Sequence, residues 1–143
     1  YGNGTQIRDW LYVDDHVEAL KLVVRKSKSN QTYVVGGNNE IQNIDVVKEI
    51  CSYLDEIIKI KPNQISSFHD LVKFVKDRPG HDKRYAIDAS KLISELSWKP
   101  KESFTSGLKK TIDWYVQNIE WWENTLSDFH VAGRIDLSDK EHQ

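Results

Sequence analysis

Asp77, Arg78 and His81 surround the dipeptide Pro79-Gly80, so a carboxylate, a guanidinium and an imidazole share one tight turn. Proline presets φ for such a reversal, and glycine accepts the positive φ that many reversals need. Arginine's planar fork matches phosphate or carboxylate oxygens two at a time, which makes the turn a place to hold an anion. Taken alone, the segment reads equally as a surface turn whose charges are solvated. A second basic site, Arg8, stands seventy positions before Arg78. If the fold unites them, the pair clamps a diphosphate, each charge-assisted bond contributing roughly 1.5–3 kcal/mol. The alternatives are local salt bridges, Arg8 to Asp9, Asp14 or Asp15 and Arg78 to Asp77 or Asp82. Asn43 can bond a ligand, although a helix N-cap explains it as well. His81 reads as a polar contact or a turn residue, and Tyr1 as a ring to stack on or a cover for apolar surface.

Other chemistry is missing. Tyr1-Gly2-Asn3-Gly4 holds the first two glycines of a dinucleotide fingerprint, but Ile7 stands where the third belongs, and no strand precedes it. Gly36-Gly37 continues as Asn38-Asn39-Glu40 without the required spacing. The five histidines and the single Cys51 show no ligand spacing, so no metal is expected. No serine nucleophile elbow is present.

The elements that must position these residues follow from periodicity. Residues 7–13 read as an extended segment. Asp14 and Asp15 are expected to cap a helix whose Val17, Leu20, Val23 and Val24 face inward. Residues 32–35 are a β-branched run closed by glycines, hence a buried strand. Asn43 is a candidate N-cap for a helix with Val47, Ile50, Cys51, Leu54 and Ile58 on one stripe. Residues 65–76 are ambiguous between a short strand and a helical turn. Residues 84–88 alternate as a half-buried strand, and Asp88 can cap a short helix carrying Leu92, Ile93 and Leu96. A last helix is expected from Ser103, burying Phe104, Leu108, Ile112, Tyr115 and Ile119, with Trp121-Trp122 as packing.

The 143 residues suffice for one domain, and a net charge of −2 gives no reason to expect nucleic acid. One cysteine excludes an internal disulfide and fits a reducing, cytoplasmic compartment. No apolar run is long enough to span a bilayer, so no membrane partner is expected. The absence of methionine and the start inside a turn suggest a fragment.

Gln6-Ile7-Arg8-Asp9-Trp10-Leu11-Tyr12-Val13-Asp14-Asp15-His16, after Tyr1-Gly2-Asn3-Gly4, resembles the carboxyl-terminal half of the extended short-chain dehydrogenase/reductase family. The Arg-Asp-x-x-Tyr-Val-x-Asp core is shared across its nucleotide-sugar epimerases and dehydratases. Trp10, Asp77-Arg78-Pro79-Gly80-His81-Asp82 and Arg84-Tyr85-Ala86-Ile87-Asp88 narrow the resemblance to the dTDP-glucose 4,6-dehydratases. Residues 33–37 and 43–47, Trp114-Tyr115 and Glu120-Trp121-Trp122 also agree.

The resemblance implies an α/β fold, the substrate-binding portion of an NAD(P)-binding Rossmann-type fold with most of its parallel sheet missing. It divides the chain into a nucleotide-sugar-binding lobe over residues 1–126 and a polar, loosely ordered tail over 127–143. It implies that dTDP-glucose contacts Tyr1, Arg8, Asn43, Asp77, Arg78 and His81, and the backbone of Pro79 and Gly80. The family oxidises the sugar C4 hydroxyl, eliminates water across C5–C6 and returns the hydride to C6. NAD and the Tyr-x-x-x-Lys pair that serve this chemistry belong to an amino-terminal Rossmann lobe, and no tyrosine here has lysine four residues on. The intact protein is thus expected to be an NAD-dependent lyase of deoxysugar (rhamnose-type) biosynthesis, and this chain alone inactive. The family homodimer uses helices of the amino-terminal lobe, so this chain is not expected to form it. The rival readings are another nucleotide-sugar epimerase or dehydratase, and a non-catalytic binding module. Ser97 departs from the family's glycine; if that position is left-handed, serine costs on the order of 1 kcal/mol.

Overall fold

The computed structural model describes residues 1–128. They fall into two compact units, Tyr1–Ile112 and the residues from Asp113 onward.

In the first unit, strand β1 (Ile7–Asp9) pairs antiparallel with β2 (Glu40–Gln42), Arg8 lying opposite Ile41. The other edge of β1 is also occupied. Ile7 donates its N–H to Lys83 O at 2.9 Å, and Tyr85 N donates to Ile7 O at 3.1 Å, a parallel bridge of Ile7 with Arg84. The strand expected over 84–88 shrinks to that bridge. Residues 32–35 are extended but pair with no described strand. Their alternation survives: Tyr33 and Val35 pack on the core while Thr32 and Val34 face solvent. Strand propensity measures fit to a half-buried surface, and side-chain packing alone supplies that surface here.

Helix α1 (Val13–Lys26) places Asp14 and Asp15 in its first turn and Arg25 and Lys26 in its last, matching the helix dipole at both ends. Neither aspartate is the cap; Tyr12 occupies that position without a side-chain bond. Asp15 is buried, and its carboxylate accepts the N–H groups of Lys101 and Glu102, each at 3.0 Å. Trp98 Nε1 donates to Asp15 O at 3.2 Å. The core joins Ala19 to Ala89, Leu92, Leu96 and Trp98, with Leu22 and Val23 packed against it. Val17, Leu20 and Val24, expected inside, lie on the exposed face instead. Ala19 is the small residue on the face that Asp15 ties down, and it leaves room for the bulky residues of α3 (Ser90–Leu96).

Helix α2 (Asn43–Ile57) has Gln42 as its cap residue, so Asn43 is the first helical residue and not the cap. Near its other end Asp55 accepts Ser67 Oγ at 2.5 Å and Phe68 N at 3.0 Å, fastening a 3-10 turn over Phe68–Leu71. That turn resolves the ambiguous stretch, and the chain beyond it is irregular. Asp88 accepts Ser90 N at 2.9 Å at the start of α3, but the cap residue is Ala89, so Asp88 lies one position outside the cap it was expected to form.

The expected final helix is two. Helix α4 (Phe104–Gln117) ends at Asn118, whose side-chain amide donates to Trp114 O at 2.8 Å, and α5 (Ile119–Asp128) follows. Asparagine's bonding to nearby backbone competes with helical continuation. In the second unit Trp114 meets Tyr115 and Trp121 edge to face, centroids 5.1 and 5.2 Å apart, and Tyr115 and Ile119 are exposed, not buried. Apart from Ser127 and Asp128 in α5, the expected tail lies outside the described residues. Among the described residues no helix is long and apolar enough to cross a membrane.

Candidate anion-binding site

Three stretches distant in sequence run side by side. Asn43 N donates to Gln6 O and Ile44 N to Gly4 O, both at 2.9 Å, so the first residues lie along the start of α2. Gly2 N donates to Val75 O at 2.9 Å, which holds the same residues against the stretch entering the Pro79-Gly80 turn. Gly4, at φ +75°, must be glycine, because a Cβ there would come within 2.8 Å of Ile44 Cβ. With the bridge of Ile7 to Arg84, this places Arg8, Asn43 and the turn in one neighbourhood.

Arg8 makes none of the ion pairs offered as its alternative. Its Nη2 donates to Asp82 O at 3.0 Å, its Nη1 to Ile7 O at 2.7 Å, and the guanidinium stands 4.2 Å over the Tyr85 ring. Such a cation–π contact contributes roughly 0.5–1 kcal/mol at an exposed site. Arg8 is thereby fixed on the loop that carries Arg78 and His81. Tyr85 donates its hydroxyl to the Asp82 carboxylate, and that bond is the main reason its phenol is held above the usual range. The positive charges of Arg8 and Arg78 are smaller influences that pull the phenol the other way.

Arg78 forms no ion pair with Asp77 or Asp82. Asp77 Oδ1 accepts the backbone N–H of Arg78 at 2.9 Å and lies 2.7 Å from His81 Nδ1, while Oδ2 accepts Gln6 Nε2 at 3.0 Å. The bond to His81 is the largest cause holding the Asp77 carboxyl below its ordinary range. The His81 side chain is only 8 % exposed. Pro79 and Gly80 are exposed at the tip, Gly80 at φ +67° with open space around it. Tyr1 is about half exposed, its carbonyl accepting Gly4 N at 3.3 Å. Asn43 is half-buried, and its side chain makes no hydrogen bond to the described residues.

Gln6 and Tyr85 take part without having been singled out from sequence. Tyr85 stood in a stretch read for its alternation, and Gln6 at the head of one read for the family resemblance. Gln6 is a buried polar residue just before β1, and its part becomes visible only once Asp77 is beside it.

The arrangement gathers groups whose chemistry suits an anion. Arg8 and Arg78 offer two forks, His81 a ring oriented by a carboxylate, and Asn43 an amide at a helix N-terminus where the dipole is positive. Among the described residues no three metal-ligating side chains converge. A dinucleotide does not fit the glycine turns, because the protein's own groups fill them. A Cβ on Gly36 would stand 2.5 Å from Asp9 Oδ2, one on Gly37 2.5 Å from Trp10 O, and one on Gly2 2.8 Å from Asp77 Oδ2.

The family profile described as GDP-mannose 4,6 dehydratase matches residues 1–111. The chain is 54% identical over 137 residues to a dTDP-glucose 4,6-dehydratase of Escherichia coli, covering 96% of this chain and 38% of that protein. It is 52% identical over 135 residues to the dTDP-glucose 4,6-dehydratase of Neisseria meningitidis serogroup B, covering 94% and 38%. Among solved structures, it is similar to the dTDP-glucose 4,6-dehydratase of Bacillus anthracis in complex with NAD. The TM-score is 0.71 at 40% identity, covering 87% of this chain and 36% of that one. The chain therefore spans well under half the length of the relatives it matches.

Proposed function

This chain belongs to the family described as GDP-mannose 4,6 dehydratase, and from that premise we propose that it is the nucleotide-sugar-binding part of a dTDP-glucose 4,6-dehydratase. The observation that carries the reading is Arg8 bonded to Asp82 O, on the loop that holds Arg78 and His81. Arg8 and Arg78 hold the diphosphate oxygens of dTDP-glucose from two sides, and His81 and the backbone of Pro79 and Gly80 border them. Asn43 adds its amide at the head of α2, Asp77 orients His81, and Tyr1 stacks on a ring of the ligand. Held so, the sugar is fixed in position for chemistry elsewhere, which lowers its entropic barrier.

That chemistry belongs to an amino-terminal Rossmann lobe with NAD, for which this chain supplies no site. The intact protein converts dTDP-glucose to dTDP-4-keto-6-deoxyglucose as a cytoplasmic, NAD-dependent lyase and homodimer, and residues 1–143 alone are inactive. The dimer forms through the other lobe, and residues 1–126 bind substrate.

The test is to incubate dTDP-glucose and NAD with the full-length protein and, separately, with the 143-residue chain. Mass spectrometry should show loss of one water from the sugar nucleotide with the former only. Turnover by the chain alone, or none by the full-length protein, contradicts the proposal.

A further inference from the structure

We propose that Gln6 is a positioning residue of the anion site: its buried amide fixes the Asp77 carboxylate, and through it the His81 ring and the backbone of Arg78. The inference rests on the reading that this site takes the nucleotide's diphosphate. Gln6 is 7% exposed although it follows a turn of glycine and polar residues. Its Nε2 donates to Asp77 Oδ2 at 3.0 Å across 71 positions, and its own carbonyl accepts Asn43 N at 2.9 Å. One residue thus joins the head of α2 to the loop of Arg78 and His81, with Arg8 two positions further along the chain.

The opposite end of the amide is informative. Gln6 Oε1 is buried and has no hydrogen-bond partner among the described residues. A buried acceptor left without a donor is unfavourable. Turning the amide over would be worse, setting its oxygen against the ionised Asp77 carboxylate. The side chain therefore stays in a poor environment because its N–H group is needed by Asp77.

Asp77 has a use for that donor. Its Oδ1 is shared by Arg78 N at 2.9 Å and His81 Nδ1 at 2.7 Å, so rotation of the carboxylate releases both. Gln6 pins Oδ2, and Gly2 lets the chain close over the same oxygen, since a Cβ there would stand 2.8 Å away. A carboxylate fixed in this way keeps the His81 proton on Nδ1 and holds the ring in one orientation beside the bound anion.

The experiment uses the full-length protein with 15N-labelled histidine, as wild type, Gln6→Leu and Gln6→Met. The His81 ring nitrogen shifts report its tautomer, calorimetry reports dTDP affinity, and steady-state rates with dTDP-glucose separate KM from kcat. Loss of the donor should move His81 from the Nδ1–H form toward the Nε2–H form. It should weaken dTDP about tenfold, the equivalent of one lost charge-assisted bond, and leave kcat at saturation within about twofold. An unchanged His81 tautomer in whichever variant folds overturns the role of Gln6, whatever the affinity. If wild type binds no dTDP while the tautomer still shifts, the nucleotide reading has failed and the anion-positioning role falls with it, though the tie to His81 stands.

Discussion

Ser97 sits at the end of α3 with φ 55° and ψ 30°, in the left-handed region that a residue with a Cβ occupies at a cost. Sequence alone pointed to this position, because glycine's place before the tryptophan was filled by serine. Ser97→Gly should raise the unfolding free energy by about 1 kcal/mol in urea denaturation, since glycine's greater unfolded-state freedom offsets only part of the strain relieved. A second residue-scale expectation concerns acid. Asp55 is held below its ordinary range chiefly by the Ser67 hydroxyl, Asp77 by His81 and Asp88 by the Ser90 hydroxyl. A carboxyl depressed in the fold binds fewer protons folded than unfolded, so its contribution is complete above the unfolded value, about 3.9. That contribution is lost as pH falls below it through the folded values. Urea midpoints should hold near neutrality and fall steeply below about pH 4, and Asp55→Asn should flatten the fall. The candidate site was legible at this scale for Arg8, Arg78 and His81, whose chemistry is visible in any context. Gln6 was not, because its role depends on a carboxylate 71 positions away.

At the scale of elements, apolar periodicity located the helices but not which stripe each would bury. Val13, Val17, Leu20 and Val24 form one stripe on α1, and Asp15, Ala19, Leu22 and Val23 the other. The second is the inner one, because Asp15 accepts two backbone N–H groups from the segment before α4 and Ala19 joins the Leu92 cluster. Asp15→Ala should therefore destabilise by about 2 kcal/mol in thermal or urea unfolding, through two N–H groups left without their charged acceptor. Val24, at 86% exposure, should tolerate Val24→Lys within about 0.5 kcal/mol. Two of the caps misassigned from sequence, Asp14/Asp15 and Asn43, fail for one reason. Each lies just inside its helix, where the side chain is free for a tertiary bond or a ligand instead of the backbone turn.

At the scale of the whole molecule, the described residues hold two short strands and a scaffold that brings Arg8, Asn43 and the Pro79-Gly80 turn together. The α/β class was legible from the alternation of elements, and the partial sheet was implied by the family resemblance. The approach of Arg8 to the turn was expected from the chemistry of a diphosphate, whereas the backbone bonds of Ile7 to residues 83 and 85 that carry it were not visible in the sequence. Two guanidiniums serving one diphosphate make a claim that separates them from ordinary surface charges. Calorimetric titration of the full-length protein with dTDP and with thymidine, in wild type, Arg8→Gln and Arg78→Gln, distinguishes the two. Each substitution should weaken dTDP by roughly tenfold or more while leaving thymidine nearly unchanged, because only the diphosphate presents oxygens to the forks. If either arginine can be replaced without loss of dTDP, or if thymidine weakens in step, the two do not share one anion.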